Sequence, residues 1–206
     1  IFKRVDLLKN NMVFPTFENY IEQFKLFTDS MVNGSILVYN EEDPLVKQIA
    51  ESATKPTRKH PYVTPEYFVE EGETFLKTPE GDMPIEVFGA HNLNNLAGAK
   101  WICQHMGIDE EDFYEAIATF SGASKRLEKI SDIHGTLAFK DFAHSPSKVK
   151  ATTEAVKQQY PEKDVVACLE LHTYSSLNAE FLQQYKEIYL RFLKDMDRQL
   201  KQKGDY

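Results

Sequence analysis

Lys140-Asp141-Phe142-Ala143-His144-Ser145-Pro146 lies between two runs of different periodicity, and its reading decides the fold. Before it, residues 136–141 read as a strand. After it, Ser145 caps a helix whose first position is Pro146. Proline suits that position because the first turn leaves its N–H unpaired in any case. Val149, Thr153, Val156 and Tyr160 recur at helical spacing along 146–160. Residues 164–171 then form a near-continuous apolar run, the pattern of a strand buried on both faces in a parallel sheet. Strand, helix and strand predict a βαβ unit, so the fold class is α/β. Such sheets bind ligands beyond the carboxyl ends of their parallel strands. Residues 141–145 leave one such end and residues 172–178 leave the next, so both polar loops are expected on one sheet edge.

Working outward, strands are expected at 127–133 and 136–141, joined at His134-Gly135. Gly122-Ala123-Ser124 is the best boundary in the chain, and it divides residues 1–121 from 122–206. In the first part, Phe17, Tyr20, Ile21, Phe24 and Phe27 predict a helix over 16–32 with Thr16 as its cap. A strand follows at 35–39, then a helix to about 53 with Asp43 as cap and Pro44 at its first position. Between 61 and 88, short apolar runs separated by Gly72 and Glu80-Gly81-Asp82 predict antiparallel strands at a sheet edge. Helices are expected at 92–106 and after Asp109.

The stretch Phe88-Gly89-Ala90-His91-Asn92-Leu93-Asn94-Asn95 opens the first of those two helices. Asn92 and Asn95 stand three apart and share a helix face. A side-chain amide places a donor beside an acceptor, which matches adenine N6 and N7. Gly89 allows close backbone approach, and a helix N-terminus favours anionic groups. The pattern suits an adenine nucleotide. A single Asn is more often a helix cap.

The 206 residues carry 24 Lys and Arg against 32 Asp and Glu, a net charge of −8, which argues against a nucleic-acid-binding surface. Fourteen Phe and ten Tyr support substantial cores. Cys103 and Cys168 read as buried small hydrophobes. No apolar stretch approaches the length of a membrane span. The first residues lack the apolar core of a signal peptide, so a cytoplasmic protein is expected.

Four motifs follow in order: Gly89-x-His91-Asn92-x-x-Asn95, Gly122-x-x-x-Arg126-x-Glu128, Asp141-Phe142-Ala143-His144-x-Pro146, and Leu171-His172-Thr173-Tyr174-Ser175. Together they resemble the Mur ligase family of ATP-dependent amino-acid and peptide ligases. The likeness runs from about Val13 to Tyr185. The wording Gly122-Ala123-Ser124-Lys125-Arg126-Leu127-Glu128 is most similar to the branch that recycles murein tripeptide onto UDP-N-acetylmuramate. The L-alanine-adding ligases are the sister branch, and folate-polyglutamate ligases fit Asp141-Phe142-Ala143-His144-Ser145-Pro146 less well. The resemblance implies the back part of a central ATP-binding domain over 1–121 and the front of a Rossmann-like C-terminal domain over 122–206. It implies amide-bond formation through an acyl phosphate, using ATP and Mg2+, in peptidoglycan synthesis or recycling.

The resemblance also assigns roles. Asn92 and Asn95 would hold the adenine side of ATP, and Asp141 the ribose. Arg126 would reach the phosphates, where a guanidinium binds oxygens bidentately and keeps its charge. The competing reading of Arg126 is a salt bridge to Glu128. His144 and Ser145 would contact substrate, with His144 also near the reacting groups. His172 and Tyr174 would meet the incoming murein tripeptide or L-alanine. Ser176 departs from the Arg common in the sister branch. The family's G-x-x-G-K-[ST] loop, which cradles phosphates, does not occur in this sequence. Lys9 and Asn10 stand where the family has an Asp-His pair whose His helps hold Mg2+, so no metal ligand is assigned. The expectation is that this segment alone does not ligate, and the rival reading is a non-catalytic nucleotide-binding module.

Overall fold

The computed structural model describes residues 14, 16–170 and 182–190 of the chain. The parallel βαβ unit is in the first part: β1 (Ile36–Asn40), α2 (Pro44–Ser52) and β2 (Arg58–Tyr62), preceded by α1 (Phe17–Ser30). β1 and β2 pair in parallel from Ile36 opposite Arg58 to Asn40 opposite Tyr62. The caps form as their residue types dictate. Thr16 accepts from the Asn19 N–H, and Asp43 accepts from the N–H groups of Leu45 and Val46. Leu37, Tyr39, Val46, Ile49 and Ala50 form the core here, covered by Tyr20, Ile21 and Phe24 of α1.

β3 (Tyr67–Glu70), β4 (Glu73–Thr78) and β5 (Gly81–Ile85) make a separate antiparallel sheet. Glu71 and Gly72, at φ 51° and 82°, form the two-residue turn between β3 and β4. Such a turn needs positive φ at both positions to match strand twist. Of the expected run at 62–63, Tyr62 ends β2, which runs parallel to β1, and Val63 lies beyond it. Residues 86–88 lie beyond β5 and lead into α3 (Ala90–His105). α4 (Glu110–Ala118) follows, its first turn capped by Asp109. Leu76, Ile85 and Val87 pack there with Leu93, Leu96 and Phe113.

After residue 121 the expected βαβ unit over 136–171 is not formed among the described residues. β6 (Glu128–Ile133) and β7 (Thr136–Lys140) form an antiparallel hairpin turned at His134-Gly135, and α5 (Pro146–Gln159) follows. The apolar run after α5 joins no ladder: 164–170 hold no strand assignment. Its burial is one-sided rather than two-sided. Val165, Ala167 and Leu169 are partly covered, while Val166 is 87% exposed and Cys168 and Glu170 face solvent. The alternation is that of an extended segment with a single covered face. Cys168 is therefore not the buried hydrophobe expected, and both thiols are free. A helical stretch at 182–190 docks Tyr185 against Val149 and Leu169.

A buried seam crosses the expected domain boundary. Phe88 packs with Leu127 and Ala155, and its ring meets Phe139 at 5.6 Å and Tyr160 at 6.1 Å. Gln159 donates to the Gly72 carbonyl at 2.6 Å and accepts from the Thr74 hydroxyl at 2.8 Å. Both side chains are buried. Thr74→Val keeps the volume and strands the Gln159 oxygen. The expected cost is about 1–3 kcal/mol, the penalty for a buried polar atom left unmade. A urea midpoint equal to the parent's would show that water replaces the bond.

Candidate functional site

A cleft of about 580 Å³ opens between the two parts of the chain. One wall is α3 with the end of α4. Asn92, Asn95, Leu96 and Ala99 line it from α3, with Ile117 and Phe120 beside them. The other wall comes from beyond residue 121, where Arg126, Asp141, Lys148, Ala151 and Thr152 line it. One wall is thus apolar with two amides, and the other carries the charges. Asn92, Asn95, Arg126 and Asp141, singled out in sequence, meet in this one space.

The two asparagines differ. Asn92 donates its amide to the Phe88 carbonyl at 2.9 Å, which fastens the first turn of α3. The exposed Asn95 amide makes no hydrogen bond among the described residues, so it is the one able to read a base edge. Gly89 also behaves differently from expectation. A Cβ there would lie 2.5 Å from the Ala155 Cβ, so its close approach is to α5.

Arg126 stands between two residues in the left-handed region, Lys125 at φ 58° and Leu127 at φ 48°. Non-glycine residues seldom adopt that conformation, and it persists only where neighbours enforce it. Four hydrogen bonds enforce it here. Glu128 accepts from the Lys125 N–H at 2.8 Å and from the Ser124 hydroxyl at 3.2 Å. Asp141 accepts from the Leu127 N–H at 2.7 Å, and the Phe142 N–H donates to the Lys125 carbonyl. The backbone N–H of Lys125 and then the Ser124 hydroxyl hold the Glu128 carboxyl below its ordinary range. Glu128 braces the loop, and among the described residues the Arg126 guanidinium forms no ion pair with it. The salt-bridge reading of Arg126 gives way to one in which its neighbours present it at the cleft rim.

Asp141 has further partners. Its other oxygen accepts from the Ala143 N–H at 2.6 Å and from the Thr152 hydroxyl at 3.4 Å. A carboxylate offers about four acceptor positions, so one is left for a ligand hydroxyl.

The remaining sequence candidates lie elsewhere. The His144 ring turns to the Phe142 carbonyl at 3.0 Å, and its own carbonyl accepts from the Tyr185 hydroxyl at 2.6 Å. Ser145 is 1% exposed and faces Ser147. Neither lines the cleft. His172 and Tyr174 lie outside the described residues. His60 packs against Trp101 and His105, away from the cleft. Burial first, then the neighbouring His105, lowers the His60 pKa.

Two features escaped sequence reasoning. Lys148 and Thr152 are four apart on α5 and so share a face, which the helical register could have revealed. The other is Asn94, buried beneath the two motif asparagines. It donates to Glu42 at 3.0 Å and Thr64 at 3.2 Å, tying α3 to segments following β1 and β2. Nothing in the sequence distinguishes it from its neighbours.

Among the described residues no helix is long and apolar enough to cross a membrane. No group of three or more His, Cys, Asp or Glu side chains is placed among them to hold a metal ion. The cleft walls, apolar on one side and cationic on the other, suit a nucleotide.

No family model matches the chain. It is similar to the UDP-N-acetylmuramate–L-alanine ligase of Limosilactobacillus reuteri, 41% identical over 122 residues, 52% of this chain and 27% of the relative. The ligase of the same name from Desulforamulus reducens is 27% identical over 198 residues, 89% of this chain and 43% of the relative. The chain thus spans less than half the length of these relatives. In fold it is similar to MurF from Acinetobacter baumannii, with a TM-score of 0.59, 16% identity, and coverage of 79% of this chain and 37% of that one. FPGS from L. casei matches with a TM-score of 0.60 and 19% identity, over 79% and 42% of the two chains. MurC from Thermotoga maritima matches at 0.56 and 18%, over 78% and 37%.

Proposed function

We propose that this chain, of Mur ligase sequence and fold, carries the nucleotide-holding cleft of an ATP-dependent ligase. The reaction joins murein tripeptide to UDP-N-acetylmuramate. The observation that carries the reading is the pairing across one cleft of the Asn95 amide, on an apolar wall, with the Arg126 guanidinium on the other. The apolar wall accepts a base, and the charged wall accepts phosphates. A related fold, FPGS, is known in complex with the ATP analogue AMPPCP, which favours a nucleotide in the equivalent place.

ATP, when bound, supplies the phosphoryl group that activates a carboxylate for attack by an amine. The residues of this chain bind and orient. Asn95 reads the base edge. Arg126, held by its braced loop, neutralises phosphate charge without having to reorganise. Asp141 gives its one remaining acceptor position to a ribose hydroxyl.

The Gly122–Glu128 wording supports the tripeptide as amine. The relatives named above are L-alanine ligases, and this makes L-alanine the second reading. The test uses a protein of the relatives' length that contains this segment. Phosphate release is measured with ATP, Mg2+, UDP-N-acetylmuramate and either amine. Release dependent on the tripeptide is expected. Release with L-alanine alone selects the second reading, and release with neither removes the ligase proposal. In the same protein, Asn95→Ala should weaken ATP about tenfold, the lower end of what a good bidentate base contact is worth. Calorimetry that finds the parent affinity in a folded variant would remove the adenine assignment.

A further inference from the structure

We infer that Lys148 is a phosphate-binding residue of the cleft, reaching the nucleotide's phosphate chain from the side opposite Asn95. The inference rests on the nucleotide reading above and adds a residue to it.

Lys148 is half-buried on the first turn of α5 and lines the cleft with Arg126. Among the described residues no hydrogen bond or ion pair engages its ammonium. Several other lysines of this acidic chain do find a carboxylate. Lys47 pairs with Glu41, Lys100 with Glu110, Lys129 with Asp132, and Lys150 with Glu154 on the same helix as Lys148. The carboxylate lining the cleft is Asp141, and it already receives the Leu127 and Ala143 N–H groups and the Thr152 hydroxyl. Two cations and one committed carboxylate leave the charged wall net positive.

Lys148 also stands where a lysine does not help its own helix. The first turn of a helix is the positive end of its dipole and favours anions. The first turn of α5 holds no acidic residue, and Ser145 makes no side-chain cap bond there. An anion in the cleft would meet the ammonium and the helix end together, and both would favour it. The path is open, because Ala151 and Thr152 follow Lys148 along the cleft wall and are small. The geometry therefore fits a phosphate chain lying along α5 between Lys148 and Arg126, with the base against Asn95.

The test is a titration of the 206-residue chain with ATP and with adenosine, by NMR at millimolar ligand, in the parent, Lys148→Ala and Lys148→Arg. Lys148→Ala should weaken ATP about tenfold, the scale of one charge-assisted hydrogen bond. It should leave adenosine binding as in the parent, and Lys148→Arg should restore ATP binding. Lys148→Ala should melt at or above the parent temperature, since it removes a cation from a helix N-terminus. Parent-like ATP binding by Lys148→Ala overturns the inference and leaves the nucleotide reading standing. Equal loss of ATP and adenosine also overturns it, because the residue would then act on the shape of the cleft. A parent chain that binds neither ligand removes the nucleotide reading and this inference together.

Discussion

Arg126→Lys in a ligating protein that contains this segment is expected to lower kcat by about 100-fold, the scale of losing one pre-organised donor. ATP affinity should change by much less. The reason lies in the loop. Lys125 and Leu127 are both held at positive φ, and their conformation is fixed by Glu128 from one side and Asp141 from the other. That construction sets the direction of the residue between them. A planar guanidinium delivered in a set direction can meet two phosphate oxygens at once. Lysine keeps the charge in the cleft, so ground-state attraction for the nucleotide largely persists. It loses the fork that matches the oxygens as charge shifts during transfer. Initial rates of amine-dependent phosphate release, fitted for kcat and for the KM of ATP, separate the two effects. A variant turning over at the parent rate would mean that the loop serves the fold alone. An equal loss in kcat and in ATP affinity would mean that Arg126 binds nucleotide without favouring the transition state.

Much of this site is legible in the sequence because its elements are local. Caps at Thr16, Asp43 and Asp109, the turn at His134-Gly135 and the helical face of α3 depend on residues a few positions apart. The meeting of Asn95 with Arg126 and Asp141 was reached through motif order. What escaped depends on distant partners. Whether 164–170 is a strand is decided by a neighbour to pair with, and apolar composition cannot supply one. Asp141 reads as a ligand residue, yet its carboxylate mainly fastens the Leu127 and Ala143 N–H groups, one of them fourteen positions away. Asn94 is buried while Asn95 beside it is exposed, a difference set by Glu42 and Thr64 across the fold.

Gly89→Ala should be among the most damaging single changes in the chain, by about 2–6 kcal/mol, from backbone strain and overpacking of roughly 1–3 each. Gly89 sits at φ 86° and ψ 137°, a conformation that side chains resist. Its missing Cβ is the space occupied by Ala155 of α5, 2.5 Å from where the new carbon would stand. Gly34 provides the control. It has nearly the same φ, 83°, with nothing within 4 Å of a built Cβ. Gly34→Ala therefore reports a side chain at positive φ with no contact, and the part of the Gly89→Ala loss that Ala155→Gly restores measures the contact. Urea unfolding of these variants decides it, and no recovery would mean that the α5 contact is soft. Adding Ala155→Gly to Gly89→Ala should recover part of the loss, since the obstructing methyl is gone, although glycine inside a helix itself costs about 1 kcal/mol. The consequence reaches the cleft. Gly89 starts the helix that carries Asn95, and Ala155 lies on the helix that carries Lys148. Their contact sets how closely the two walls approach, so nucleotide affinity should fall in Gly89→Ala even where the protein remains folded, and hold in Gly34→Ala.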